Sequence, residues 1–253
     1  MTSLEPNFVR VEEAIAAACR RAGRSRAEIE LMAVSKTFPA ASIVEAATFG
    51  LTLFGENRVQ EFAAKAPELN SQRAGPATQS PQAVEGAAKA PIRIHLIGHL
   101  QSNKAARAAE LFDGIDSVDS LRLAERLNDA AGKLGKRLPI LIEVKLSHEE
   151  AKTGIDPESA ESAALLERLP DLAHLEARGL MTIAPWGAPE EATRACFRSL
   201  RSLRDRWAQA HPRLALNTLS MGMSGDFPLA IEEGATRIRV GTALFGKRPP
   251  PTG

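Results

Sequence analysis

The sequence predicts an α/β protein, and within that class a single closed (β/α)8 barrel of the TIM type. Short apolar runs typical of strands alternate with longer amphipathic stretches typical of helices, and 253 residues suit one such barrel. The alternation alone leaves a doubly wound sheet open. The segment after the first strand, AVSKTFPA, lacks the G-x-G-x-x-G turn of a dinucleotide-binding sheet, which favours the barrel.

Each element of the barrel is predicted from the local apolar pattern. The strands are predicted at residues 31–35, 51–54, 92–97, 114–118, 139–144, 175–183, 216–221 and 237–240. Helices are predicted at residues 120–134, 157–169 and 190–210, with Pro157 in the first turn of the second of these. An extra helix at residues 6–22 precedes the first strand, and we expect it to cover the floor of the barrel.

One segment interrupts the regular pattern. Residues 66–91 are rich in Ala, Pro, Gly, Ser and Gln and contain few large apolar side chains. Such a segment buries too little surface to offset the entropy of ordering it. We therefore predict a mobile loop insertion at 66–91 inside one domain that spans residues 1–253.

The composition indicates which classes of binding partner to expect. Lys and Arg together number 32 against 31 Asp and Glu, a net charge of +1 that indicates no nucleic-acid or anionic-membrane surface. No run approaches the roughly 20 apolar residues of a membrane span, and the acidic N-terminus does not resemble a signal peptide. Cys19 and Cys196 lie far apart, outside any CxxC pattern. We predict a cytoplasmic protein.

Lys36 directly follows the first predicted strand, and Pro39 then begins the next helix. Active sites of parallel barrels lie at the C-terminal ends of the strands, so we expect Lys36 to project into the barrel mouth. Partial desolvation favours the neutral amine, which is the form that attacks an aldehyde to give a Schiff base. Position alone leaves open the alternative of a surface lysine at a strand end.

The loops after strands seven and eight predict a phosphate site. Barrels frequently build such a site from these two loops and a short helix. Here the loops supply Ser224 and Gly225 on one side and Gly241 and Thr242 on the other. Glycine lets backbone N–H groups approach a phosphate, and hydroxyl groups donate to it directly. Taken singly, each loop could instead be an ordinary Gly/Ser turn that binds no phosphate.

Two arginines lie on the last strand. Residues alternate between faces along a strand, so Arg237 and Arg239 share one face while Ile238 and Val240 share the other. An arginine facing into the barrel near its mouth needs a partner. A pyridine nitrogen is one candidate, and arginine, which only donates, would keep that nitrogen unprotonated. We assign Arg237 no role.

A metal site is not predicted. His95 and His99 are four residues apart, but Gly98 lies between them and the first belongs to a predicted strand. They would not share a helical face, and no cluster of Cys, Asp or Glu completes a ligand set.

Several segments together resemble one protein family. They are LMAVSKT, FGENRVQE, HLIGHLQSNK, ARGLMTI, LSMGMSGDF and RIRVGTALFG, which occur in order over nearly the whole chain. They are similar to segments of the pyridoxal phosphate homeostasis proteins, a family that resembles the barrel domain of alanine racemases. The resemblance implies a barrel of the fold type III class that binds pyridoxal 5'-phosphate (PLP). The 66–91 segment is longer than the family usually has.

The resemblance also implies roles for individual residues. Lys36 would hold PLP as a Schiff base, and Arg239 would face the pyridine nitrogen. The phosphate would be held by Ser224, Gly241 and Thr242. Asn57, in the FGEN turn after strand two, would neighbour the cofactor ring, with a helix N-cap as its alternative role.

Three functions remain in competition. The resemblance implies a carrier or buffer of PLP that affects amino-acid and keto-acid balance, without a reaction of its own and with PLP-dependent apoenzymes as candidate partners. The second is an amino-acid racemase of weak activity; alanine racemases use a tyrosine opposite the lysine, and this chain contains no tyrosine. At 253 residues, we also expect this chain to lack the separate domain that supplies that tyrosine. The third is a Schiff-base barrel enzyme acting on a phosphorylated metabolite. We predict a monomer.

Overall fold

The computed structural model describes residues 4–74, 91–146 and 153–247. Its strands form a closed barrel in chain order, and every neighbouring pair is parallel. The strands are β1 (Glu30–Val34), β2 (Leu53–Glu56), β3 (Arg93–Leu96), β4 (Gly114–Val118), β5 (Leu138–Glu143), β6 (Leu175–Met181), β7 (Thr218–Ser220) and β8 (Arg237–Val240). The predicted barrel is confirmed, and each predicted strand overlaps an observed one.

Helices surround the barrel and cover its outer face. They are α1 (Leu4–Ala22), α2 (Ala40–Thr48), α3 (Val59–Ala74), α4 (Ala105–Leu111), α5 (Leu121–Lys133), α6 (Ala160–Arg168), α7 (Glu190–Ala210), α8 (Phe227–Glu232) and α9 (Thr242–Phe245). Apolar side chains from the outer face of the strands and the inner face of these helices form one continuous core. None of the helices in the described ranges is long and apolar enough to cross a membrane.

The extra N-terminal helix is present, but it does not lie across the barrel floor. Near its start, Asn7 donates a hydrogen bond of 2.8 Å to the carbonyl of Leu244 in α9, beyond the C-terminal end of β8. Near its end, Arg21 forms an ion pair of 2.6 Å with Glu232 in α8. The helix therefore runs beside α8 in the outer ring. Because α8 has six residues, α1 supplies the apolar cover that α8 is too short to give.

The prediction of a loop at residues 66–91 is wrong for residues 66–74. Residues 66–74 continue α3, and the remainder, 75–90, lies outside the described residues. Phe62, Ala66 and Leu69 are spaced four and three apart and are all buried in the core, which gives this stretch a helical apolar stripe. Pro67 lies within the helix despite its missing N–H, because the packing of its neighbours outweighs that loss.

The helix predicted from Pro157 begins later, at Ala160. Asp156 Oδ1 accepts a hydrogen bond of 2.9 Å from the backbone N–H of Glu158, which closes a turn around Pro157. Ser159 is the N-cap, and its hydroxyl oxygen accepts from the backbone N–H of Ser162 at 3.2 Å. Local side-chain hydrogen bonds thus set the start of α6.

Charged side chains fill the barrel interior near the N-terminal ends of the strands. Arg237 pairs in register with Glu30, and its guanidinium lies 2.8 Å from the Glu30 carboxylate. It also donates to Asp116 Oδ2 at 2.9 Å, and the second oxygen of Asp116 is 2.8 Å from His95 Nδ1. Arg237 therefore belongs to a buried ion-pair network in the lower part of the barrel.

Candidate functional site

Lys36 lies at the C-terminal end of β1. The backbone N–H of Ser35 donates to the carbonyl of Gly55 at 3.0 Å, so the pairing of β1 with β2 continues one residue past the strand. Met32 is fully buried but is not part of the core between strands and helices, so it packs inside the barrel, where a Cβ added to Gly55 would lie 2.8 Å from its sulfur. Alternation from Met32 places Lys36 on the same interior face, where the residue is half-buried.

The loops after β7 and β8 meet at Ser224. Its hydroxyl oxygen accepts a hydrogen bond from the backbone N–H of Gly241 at 3.2 Å and another from that of Ala243 at 3.3 Å. Since both bonds are accepted, the hydroxyl hydrogen is left to donate to a ligand. The structure brings Ser224 and Gly241 together; Thr242 lies between the two N–H groups and is exposed.

The turn after β8 that contains Gly241 lies against the end of β1. A Cβ added to Gly241 would lie 3.4 Å from both the Cβ and the carbonyl oxygen of Val34, two residues before Lys36. The backbone at Gly241 therefore passes close to the end of β1. The lysine and the turn that carries Gly241 thus occupy adjoining strands at one end of the barrel.

Arg239 faces the barrel interior and is buried. It pairs in register with Met32 on β1, and its guanidinium donates to Ser220 Oγ and to the carbonyl of Thr182, both at 2.8 Å. Burial lowers the pKa of Arg239, against the opposing effect of nearby carboxylates that include Glu143. The predicted inward orientation is supported, and the arginine has protein partners that hold the guanidinium in place.

Asn57 lies in the turn after β2. The helix that follows begins at Val59, so Arg58 immediately precedes it and the N-cap alternative for Asn57 is wrong. A Cβ added to Gly98 would lie 2.2 Å from the carbonyl oxygen of Asn57 and 2.8 Å from its Oδ1. Asn57 is therefore half-buried where the loops after β2 and β3 touch. This position is at the same end of the barrel as Lys36.

Glu143 is a polar group of the barrel that the sequence reasoning missed. It ends β5, it is 3% exposed, and its Oε1 accepts a hydrogen bond of 2.9 Å from Thr153. Its Oε2 is buried without a hydrogen-bond partner in the described part of the chain. Burial raises its pKa, and the hydrogen bond from Thr153 and the charges of Arg239 and His99 offset only part of that effect. A glutamate closing an otherwise apolar strand is the signal that could have indicated it.

The two histidines considered as metal ligands bind separate aspartates. His95 Nδ1 lies 2.8 Å from Asp116, and His99 Nδ1 lies 3.2 Å from Asp119. Over residues 4–74, 91–146 and 153–247, no group of three or more His, Cys, Asp or Glu side chains is arranged to hold a metal ion.

Known proteins resemble this chain over nearly its full length. The family model described as alanine racemase, N-terminal domain, matches residues 11–249. A pyridoxal phosphate homeostasis protein of Pseudomonas aeruginosa is 40% identical over 248 residues, which cover 98% of this chain and 97% of the relative. The protein of the same name from Escherichia coli K12 is 40% identical over 249 residues, with 98% of each chain covered.

Solved structures show the same fold. PipY of Synechococcus elongatus without PLP is 44% identical, with a TM-score of 0.77 over 93% of this chain and 99% of that one. Its structure with PLP bound gives a TM-score of 0.76. An alanine racemase of Clostridium difficile, 17% identical, has a TM-score of 0.68, and the match covers 58% of that longer chain, which shows a shared barrel fold. This chain belongs to the alanine racemase N-terminal domain family and, within it, to the pyridoxal phosphate homeostasis proteins.

Proposed function

We propose that this chain binds PLP through a Schiff base on Lys36 and serves intracellular PLP homeostasis as a carrier or buffer, without a robust reaction of its own. The observation that carries the proposal is the arrangement of Lys36, the Ser224–Gly241 contact and Arg239 on adjoining strands of one barrel. The names of the relatives and the PLP-bound structure of PipY support the choice of ligand.

The donors present suit a phosphate ester. Ser224 offers a hydroxyl hydrogen that is oriented by the two bonds its oxygen accepts, and Thr242 offers a second, exposed hydroxyl. A Cβ added to Gly225 would have no neighbouring atom within 4 Å, so the chain beside Ser224 leaves open space. The Gly241–Thr242 turn and Ser224 would therefore hold the phosphate group.

Arg239 suits the opposite end of the cofactor. Its bonds to Ser220 and Thr182 fix the guanidinium inside the barrel, and a guanidinium can only donate. Facing a pyridine nitrogen, it would keep that nitrogen unprotonated and weaken the ring as an electron sink. This supports a carrier rather than an enzyme that depends on a strong sink. Asn57 would lie beside the ring.

The chemistry that bound PLP supplies is an aldehyde, which condenses with an amine with loss of one water molecule. For its part the chain must supply a neutral amine on Lys36, hold the phosphate and orient the ring. The candidate recipients of the cofactor are PLP-dependent apoenzymes in the cytoplasm. We further propose that the whole chain is one domain and acts as a monomer.

A weak amino-acid racemase is the second candidate, since the chain shares the barrel of alanine racemases and carries a lysine at the end of β1. Removing and returning an α-proton on opposite faces requires two groups that exchange protons. The sequence contains no tyrosine to serve opposite Lys36, which favours the carrier. A Schiff-base enzyme acting on a phosphorylated metabolite is the third candidate, and it would not need PLP.

The test is the visible absorption spectrum of the protein after incubation with PLP, recorded for wild type, Lys36→Ala and Lys133→Ala. Lys133 is exposed at the end of α5 and serves as the matched lysine control. We expect wild type and Lys133→Ala to show the Schiff-base band, and borohydride to fix PLP on the peptide that contains Lys36. The Lys36→Ala variant should lack that band.

A wild-type protein that acquires no band would reject PLP binding through Lys36 and favour the phosphorylated-metabolite enzyme. Carrier and racemase are separated by incubating the loaded protein with L-alanine in deuterium oxide. With a carrier, the α-hydrogen of L-alanine should exchange with solvent no faster than it does with free PLP. A carrier should also pass PLP to an added apoenzyme.

A further inference from the structure

The residues on both sides of Lys36 are held by side chains from one helix. On the N-terminal side, the amine of Lys65 in α3 donates to the carbonyl of Ser35 at 3.1 Å and to Glu56 Oε1 at 2.7 Å. The hydroxyl of Ser35 donates to the same oxygen of Glu56 at 2.7 Å. Ser35 is thus fixed through both its backbone and its side chain.

On the C-terminal side, the backbone of Thr37 adopts an uncommon conformation. Its φ of 69° lies in the left-handed region, and no other non-glycine residue in the described ranges has a positive φ. A β-branched residue is strongly disfavoured there, so the surroundings must hold it. The backbone N–H of Phe38 donates to the carbonyl of Ser35 at 3.1 Å, which closes the turn over Lys36 and Thr37. Within that turn, the backbone N–H of Thr37 donates a hydrogen bond of 2.5 Å to Glu61 Oε1.

The two contacts are joined on the surface of α3. Glu61 and Lys65 are four residues apart, and Glu61 Oε1 lies 3.7 Å from the Lys65 amine. The Lys65 side chain is 8% exposed and that of Glu56 is fully buried, whereas the Glu61 side chain is 28% exposed. A buried ion pair therefore anchors the inner part of the network, and a more accessible carboxylate reaches the strained turn.

We propose that Glu61, supported by Lys65 and Glu56, positions Lys36 for the capture of an aldehyde, an inference that rests on the proposed function of Lys36. Holding Ser35 and Thr37 fixes the backbone from which Lys36 projects into the barrel. The amine then meets its target in one orientation, and a misplaced amine reacts more slowly. Glu61 is a positioning residue, because it acts through Thr37.

Glu61 is the residue to vary, because loss of Lys65 or Glu56 alone would leave a buried charge without its partner and would threaten folding. Glu61→Ala removes the acceptor for the Thr37 N–H, whereas Glu61→Gln keeps a carbonyl oxygen that accepts the same bond. Gln60→Ala, an exposed position on the same turn of α3, is the control, and thermal melting confirms that each variant folds.

The first measurement is the rate at which each apoprotein captures PLP, followed by the Schiff-base band and by borohydride trapping on Lys36. We expect Glu61→Ala to capture PLP on the order of tenfold more slowly than wild type. Glu61→Gln and Gln60→Ala should match wild type. Equal rates for Glu61→Ala and wild type, or equally slow rates for Glu61→Ala and Glu61→Gln, would overturn the proposal.

The second measurement needs no cofactor. Acetic anhydride acetylates lysine amines, and peptide mass spectrometry gives the rate at Lys36 alone. Release of Thr37 should change that rate by about threefold or more in Glu61→Ala, because the surroundings of the amine change, and should leave Glu61→Gln unchanged. If wild type captures no PLP but acetylation shows this pattern, the positioning role stands and the PLP proposal fails. Unchanged acetylation and unchanged capture reject the positioning role.

Discussion

Arg237 and Asp116 form an ion pair of 2.9 Å inside the barrel, where the two residues are 6% and 1% exposed. Burial by itself would raise the pKa of Asp116, but Arg237 and His95 outweigh it and lower that pKa to about 2. The aspartate is therefore ionised in the folded protein at neutral pH, and together with Glu30 it balances the charge of a largely buried guanidinium. The pair is part of the structure rather than of the ligand site.

We predict that Asp116→Asn lowers the free energy of unfolding by about 2 kcal/mol at pH 7, because it replaces the buried carboxylate partner of Arg237 by a neutral amide and leaves Glu30 as the remaining carboxylate partner. Urea denaturation measures the change. The matched control is Glu110→Gln, which removes an ion pair with Arg107 whose side chains are 46% and 56% exposed. That surface change should cost less than about 1 kcal/mol. A similar cost for both substitutions would contradict the buried pair.

The same aspartate predicts a pH dependence. Its folded pKa of about 2 lies below the usual value of 3.8, so its contribution is present above about pH 4 and is lost as pH falls toward 2. The contribution amounts to about 2 kcal/mol. The stability advantage of wild type over Asp116→Asn should therefore shrink between pH 4 and pH 2. An advantage that stays constant over that range would show that Asp116 does not titrate as described.

Ser224→Ala should weaken the binding of inorganic phosphate and of PLP by roughly tenfold, the effect of losing one hydrogen-bond donor to a charged group. The substitution removes the hydroxyl donor and also the oxygen that accepts from the backbone N–H groups of Gly241 and Ala243. Isothermal titration with each ligand measures the change. Ser199→Ala, at an exposed position of α7, should bind as wild type does. If Ser224→Ala also binds like wild type, Ser224 does not contact the phosphate.

The sequence predicted the parts of the site that depend on local pattern. Alternation along β8 placed Arg239 on the inner face, and the glycine and serine turns indicated which loops would meet. The contacts of Arg239 with Ser220 and Thr182 were not predictable, because they depend on how β6, β7 and β8 are staggered around the barrel. The Ala243 N–H was missed because the start of α9 was not recognised.

The position of α1 could not be predicted from the local sequence pattern. Its existence follows from a helical apolar pattern, but its position depends on the length of another element, since α1 covers the side of the barrel where α8 has six residues. Composition misled the reasoning at residues 66–74, where alanine and proline suggested a loop although the spacing of Phe62, Ala66 and Leu69 is helical. The stagger and the packing partners are properties of the whole chain, and local patterns do not contain them.

The helical course of residues 66–74 predicts that Leu69→Ala destabilises the protein by about 2 to 4 kcal/mol, because Leu69 is 1% exposed and truncation leaves a cavity. The neighbouring Asn70 is exposed, so Asn70→Ala should change stability by less than about 0.5 kcal/mol. Thermal and urea unfolding of both variants measure the difference. In a loop, the two substitutions would have similarly small effects.

Glu143 should limit stability at high pH, because burial raises its pKa and its Oε2 has no hydrogen-bond partner in the described residues. With the folded pKa above the unfolded value, the stability present at low pH is lost as pH rises through the folded pKa. Glu143→Gln, which can still accept the bond from Thr153, should therefore raise the free energy of unfolding by about 1 kcal/mol at pH 8 and by much less near pH 4. Urea midpoints at the two pH values test this, with Glu45→Gln on the exposed face of α2 as the control. A gain that is equal at both pH values, or larger near pH 4, would mean that the buried charge of Glu143 is not what costs stability.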